Sequence, residues 1–213
     1  MVSRSAMLIM MIFFTSVGCA TFKANHLQPV DKNDLLDQEP EKAKVFQRWT
    51  VESDYDNPEI DAALRGLQEK YFTDAAKRSQ CCEVVEDPGK ADIELTGVAY
   101  VESHRVAVFA GTLTGASLFI IPSWATETVH IKANVKHTAI SKSYEFRDSV
   151  TFVLWLPLIF ALPFTDSPQD ATKALKERVF DNLILNIKKD NIFALAKENK
   201  APDSDPPLRE KKS

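Results

Sequence analysis

Three cysteines, four histidines and a few acidic residues are the side chains here whose types invite chemistry. Cys81 and Cys82 are adjacent. Neighbouring thiols bridge only through a strained ring, and a strained disulfide is easily reduced. A redox pair, a bridge to another chain and two plain thiols are the readings open at this point. His26, His104, His130 and His137 stand at no metal-ligand spacing from Cys, Asp or Glu. His130 falls on the polar side of an alternating pattern and His137 near its end, so both read as solvated. Glu94 and Glu102 lie eight residues apart on one strand pattern, too far for paired acid–base work. Ser103 and His104 make a dipeptide without the third group of a triad. Gly is scarce, and no Gly-rich phosphate loop appears. No catalytic residue, metal ligand set or cofactor is expected, and the chain reads as non-enzymatic.

The remaining cysteine, Cys19, has a different setting. Residues 1–18 read MVSRSAMLIMMIFFTSVG, with the cation Arg4, an apolar run from Ala6 to Phe14, and small residues leading to Cys19. That is the charged, apolar and small-residue order of an export signal. The apolar run is too short to span a bilayer, which takes about 20 residues. The ending resembles the lipobox of bacterial lipoproteins. Val17 and Gly18 fit its last two places before the cysteine, and Ser16 stands where the family has Leu. The resemblance implies removal of residues 1–18 and acylation of Cys19 by palmitate-type chains. Several acyl chains anchor a protein stably where one does so reversibly. Ala20 follows Cys19 where Asp would favour inner-membrane retention in that family. The implied location is therefore the periplasmic face of the outer membrane, ahead of the inner membrane. The resemblance covers about 20 residues and says nothing of the domain behind them. An ordinary signal peptide and an uncleaved anchor are the competing readings.

The length of 213 residues suits one domain with tails. A hydrophobic fraction of 45% suffices for a core. Net charge is −4, without the basic excess of a nucleic-acid binder. Three cysteines are too few for a disulfide framework.

Residues 19–42 are polar and read as a lipidated tether; 43–196 read as the folded domain; 197–213, rich in Pro and charge, read as a disordered tail. Within the domain, 44–52 give an impure alternation and a first strand. Residues 58–78 predict a helix: Asn57 can cap it, Pro58 starts it, and Ile60, Leu64, Leu67 and Tyr71 share a face. A short strand is expected at 81–86, turn chemistry at 87–90, and a strand at 91–102 with Ile93, Leu95, Gly97, Ala99 and Val101 facing a core. Residues 127–139 alternate cleanly, with Val129, Ile131, Ala133 and Val135 on one side. A turn near Ser141 leads to 143–150, completing a hairpin. Residues 168–189 predict a second helix, capped by Ser167, with Ala171, Leu175, Val179, Leu183 and Ile187 as its apolar stripe. One-sided strands need a cover, and two amphipathic helices supply it. The fold class expected is α+β, a mainly antiparallel sheet covered by two helices. The element order resembles the amino-terminal domain of TolB and the accessory lipoproteins of penicillin-binding proteins, by topology and without a shared motif.

Two stretches, 106–126 and 149–165, carry no charge and approach the length of a membrane span. Pro122, Pro157 and Pro163 interrupt them, at about 3 kcal/mol each in a helix interior. If both crossed a bilayer, the hairpin between them would be stranded alone, where it is marginal at best. Both are therefore expected to leave and return at one end of the sheet. Phe109, Leu118, Phe119, Trp124, Trp155, Leu158 and Phe160 are the candidate contacts to membrane or partner, with Trp favoured at a membrane interface. Burial as core and true spanning helices are the alternatives.

The sequence thus points to a lipid-anchored, periplasm-facing scaffold or accessory binding module, with membrane lipid and an unidentified envelope protein as partners. Two rivals stay open. One is a membrane-embedded homo-oligomer forming part of a pore, for which the curli secretion lipoprotein is a loose analogue. The other is a carrier with residues 150–164 around an apolar ligand such as lipid.

Overall fold

The computed structural model describes residues 19–36, 41–54, 57–101, 112–117, 120–138, 140–155, 157–158 and 166–198. Residues 1–18, Phe109, Leu118, Phe119, Phe160 and the tail beyond 198 lie outside them, so the expectations placed there are neither met nor refuted. In chain order come β1 (Cys19–Lys23), α1 (Lys32–Leu35), β2 (Ala43–Ser53), α2 (Pro58–Ser79), β3 (Cys82–Val85), β4 (Ile93–Val101), β5 (Ser123–His137), β6 (Ile140–Leu154), α3 (Pro168–Lys189) and α4 (Ile192–Glu198). The strands form one sheet in the order β1-β6-β5-β4-β2-β3. β2 runs parallel to β3 and β4, and the other pairings are antiparallel. The fold is α+β with a mostly antiparallel sheet, as the periodicities predict.

The helices form where their capping chemistry allows. Asn57 Oδ1 accepts from the Glu59 and Ile60 amides, and Pro58 takes the first position, where its missing N–H costs nothing. Ser167 Oγ accepts from the Asp170 amide and donates back to its carboxylate. The predicted stripe of α3 is fully buried, together with Phe180 and Ile184. α2 differs: its buried residues are Phe72, Ala75, Ala76 and Ser79, while Ile60 and Leu67 are exposed. The side chains it buries all come from its second half.

Trp49 anchors the core. Its ring meets Phe180 edge-on with centroids 5.4 Å apart, and Phe72 at 6.5 Å. Its Nε1–H donates to Gln47, whose amide donates to Thr73 and to the Glu69 carbonyl of α2. The indole lies across its register partner Gly97, where an added Cβ would come 2.2 Å from a ring carbon. Burying a side chain of this size contributes about 2–3 kcal/mol.

Three expectations change. The segment expected as a tether is folded: 19–23 form an edge strand, and Leu35 of α1 is buried. The Arg178 side chain donates to Asn25 and Asp148, Asn182 to the Gln28 carbonyl, and Lys188 to the Asp34 and Leu36 carbonyls, so α3 holds this segment along its length. His137 is buried, with Nδ1 2.7 Å from the Asp92 carbonyl, and is not solvated. The helix α4 extends through Glu198, burying Ile192, Phe193 and Ala196, two residues past the expected end of the domain at 196.

Candidate functional site

The hairpin β5–β6 is longer than the alternation predicts. β5 starts at Ser123 and β6 runs to Leu154, so 123–126 and 149–154 of the two apolar stretches are paired strand. β4 stops at Val101, which follows the Tyr100–His130 pair. β5 and β6 stay paired with each other from there up to Ser123 and Leu154. β1 pairs with this upper part of β6, from Cys19 opposite Leu154 to Lys23 opposite Val150.

One row of the sheet thus contains Cys19, Leu154 and Ser123. At the usual strand spacing, Cys19 Cα is about 10 Å from Ser123 Cα. The first insertion returns into this row at Ser123, and the second leaves from the residue after Leu154. The two insertions touch here: Trp155 Nε1–H donates to the Ile120 carbonyl at 3.1 Å. The second returns past β1, where Thr21 Oγ1 donates to the Asp166 carbonyl and Lys23 pairs with its carboxylate.

The exposed large apolar side chains concentrate at this end. Ile120 is 68% exposed, Trp124 67%, Phe22 56% and Trp155 39%, with Ile121 also exposed. Trp124 and Phe22 share the face of the sheet away from the helices, because Trp124 pairs with Val153 and Phe22 with Thr151. Leu113 is exposed within the first insertion, and Leu158 is half-buried beside Trp155, its amide bonded to the Trp155 carbonyl. These side chains form the main exposed apolar surface among the described residues. No helix among the described residues is long and apolar enough to cross a membrane.

The polar side chains below this end satisfy one another. On the open face, the Tyr100 and His130 rings stack at 4.6 Å, and Lys132 Nζ lies 5.4 Å from the Tyr100 ring centre. His130 Nε2 is 2.8 Å from Glu145, whose carboxyl this hydrogen bond holds below its usual range. On the helix face, Glu127 accepts from Thr172 at 2.7 Å and pairs with Lys176 at 3.1 Å. That pair borders a cleft of about 260 Å³ lined by Leu64, Leu67, Tyr71, Val101 and Val129 among others. None of this sets a nucleophile against a base, and the described residues bring no three potential metal ligands together.

Trp124, Trp155 and Leu158 are brought to one end of the sheet, as expected. Sequence reasoning missed Phe22, Ile120 and Ile121. Phe22 lay in the segment read as a tether, and Ile120 and Ile121 lay inside the apolar stretch 106–126, where neither was singled out as a contact. Cys81 and Cys82 lie elsewhere, Cys81 just before β3 and Cys82 as its first residue, with their sulfurs 3.0 Å apart.

No protein-family model matches the chain, and no curated protein matches it. Several solved structures are similar to this chain in arrangement. A DUF330 family protein from Xanthomonas campestris matches with a TM-score of 0.38 and 9% identity, over 77% of this chain and 94% of that one. A dodecameric PelC variant from Paraburkholderia phytofirmans matches at 0.35 and 10%, over 78% and 97%. A DUF4136 family protein from Bacteroides thetaiotaomicron matches at 0.20 and 8%, over 84% and 97%. At these scores the likeness carries no argument about role.

Proposed function

We propose that this chain is a lipid-anchored, periplasm-facing envelope lipoprotein, a non-enzymatic scaffold or accessory module that sits on the membrane through the apolar end of its sheet. The observation that carries this is the row Cys19–Leu154–Ser123. Cleavage after Gly18 makes Cys19 the first residue of the mature chain. Its acyl chains then leave the protein at the end where Trp124, Trp155, Ile120 and Phe22 are exposed. Anchor and apolar surface face the same lipid. With β1 already part of the sheet, no slack intervenes between them, and the domain is held against the bilayer. Tryptophan at that level suits the interface between headgroup and acyl chain. β5 extends about 50 Å from Ser123 to its far end at the usual rise, which places the opposite end of the sheet far into the periplasm.

Ala20, following Cys19, favours the outer membrane. The test is the mass of the full-length protein extracted from membranes. Acyl chains on a polypeptide that begins at Cys19 bear the proposal out. A chain with 1–18 intact, or an unacylated Cys19, overturns it.

A further inference from the structure

Cys81 and Cys82 sit at the junction of α2 and β3, away from the apolar end. Gln80 takes a left-handed backbone (φ 55°) to end α2, and this turns both cysteines into the protein. Cys81 is 0% exposed and Cys82 6%. Their sulfurs stand 3.0 Å apart, nearer than unbonded sulfurs usually approach, as thiols. Ser79 Oγ is 3.0 Å from Cys81 Sγ and donates to the Ala76 carbonyl at the end of α2. Cys82 is positioned by the sheet as well, pairing with Ala43 of β2.

The two sulfurs are not equivalent. Cys82 lines a cleft of about 440 Å³ with Thr73, Ala76 and Val84; Lys42 and Lys77 line it too, against the single carboxylate of Glu83. Cys81 lines no part of that cleft. A thiolate is the attacking species, and Cys82 is the sulfur that borders the cleft. An incoming disulfide therefore meets Cys82 first, with Cys81 behind it.

We propose that Cys81 and Cys82 form a reversible dithiol–disulfide site that exchanges with an external disulfide, Cys82 making the first attack and Cys81 resolving it. The Cys82 thiolate attacks one sulfur of the partner disulfide. A Cys82–partner bond forms, the partner's S–S bond breaks, and one partner thiolate leaves. The Cys81 thiolate then attacks the Cys82 sulfur, and the second partner thiolate leaves. Two cysteines lose two electrons in all, the partner disulfide gains them, and the two cysteine protons pass to the departing thiolates or to water. A small-molecule disulfide or the disulfide of a thiol oxidant meets this requirement. That the site works in an oxidising compartment rests on the export reading above; the chemistry itself does not.

The test uses full-length protein extracted in detergent, reduced, freed of reductant and treated with oxidised glutathione. Acid quenching and digestion then give the mass of the peptide carrying both cysteines. The expected product has lost two hydrogens, carries no glutathione, and returns to two thiols with dithiothreitol. Cys81→Ser should trap one glutathione on Cys82, and Cys82→Ser should react at least about tenfold more slowly than Cys81→Ser. Glutathione on both sulfurs, two chains joined through them, or thiols that react only after denaturation would each overturn the proposal. The wild-type result decides this even if a serine variant does not fold. An unacylated Cys19 in the same sample would sink the membrane reading and leave this one standing.

Discussion

Cys19 stands opposite Leu154 in the last row of the sheet. Leu154 is paired on its other side with Ser123, the first residue of β5. Three chain segments therefore meet at one point: the start of the mature chain as proposed, the return of the first apolar insertion, and the departure of the second. A flexible tether would leave the orientation of the domain on its membrane undetermined. On the proposed reading, a cysteine already in the sheet determines it.

The ion pair between Asp148 and Arg178 should hold that geometry in place. Asp148 is fully buried, accepting from Arg178 Nη1 at 3.1 Å and from the His26 and Ser149 amides. Arg178→Ala leaves a buried carboxylate without its cation, which typically costs about 3–5 kcal/mol. Urea unfolding should show that loss. Hydrogen exchange should show the amides of 24–28 opening before those of α3.

The close passage of Trp49 over Gly97 predicts a second effect. Gly97→Ala places a methyl group in the indole ring and must push it aside. Overpacking of this kind costs about 1–3 kcal/mol. The urea midpoint should fall, and Trp49 emission should shift as the ring moves. An unchanged midpoint would mean that the ring does not lie there.

Tyr144 predicts a pH dependence. Its hydroxyl donates to Asp190 at 2.6 Å; burial first, then that carboxylate, raises its pKa well above the usual value. A raised folded-state value means that the contribution is complete below the unfolded pKa of about 10 and is lost as pH rises beyond it. Stability should therefore decline above about pH 10, and the decline should be shallower in Tyr144→Phe. Asp190 works in the opposite sense. Lys142, then Tyr144, lower its pKa, so its contribution is present above the usual carboxylate range and fades as pH falls through its lowered value. Parallel urea midpoints from pH 8 to 11 for the two proteins would contradict the alkaline half of this.

Much of the frame was legible because its periods are clean. The α3 stripe from Ala171 to Ile187 and the β5 alternation from Val129 to Val135 repeat without a fault, and both faces are buried as read. The same alternation, carried one step on, puts His137 on the core face, where it is buried. Reading it as solvated followed residue type over period. β1 was not legible: five residues after an apolar run have too short a pattern, and β6 gives them their structure by pairing. The exposed first half of α2 was hidden for another reason. Its stripe is genuine, but which part of a stripe meets the sheet depends on where the strands end. At the candidate site, Trp124 and Trp155 were found by their type. Phe22 and Ile120 were not, since only the assembled end of the sheet brings them together.

The most direct test of the membrane contact uses the protein's own tryptophans. It has three, and Trp49 is sealed in the core while Trp124 and Trp155 are exposed. The full-length protein would be reconstituted in vesicles containing phospholipids brominated on the upper acyl chain, and emission compared with Trp124→Phe and Trp155→Phe. A surface seated on lipid predicts blue-shifted emission quenched by the bromines, and most of that quenching disappears with Trp124. Quenching of Trp124 by aqueous iodide but not by brominated lipid, in protein whose Cys19 carries its acyl chains, would contradict the account.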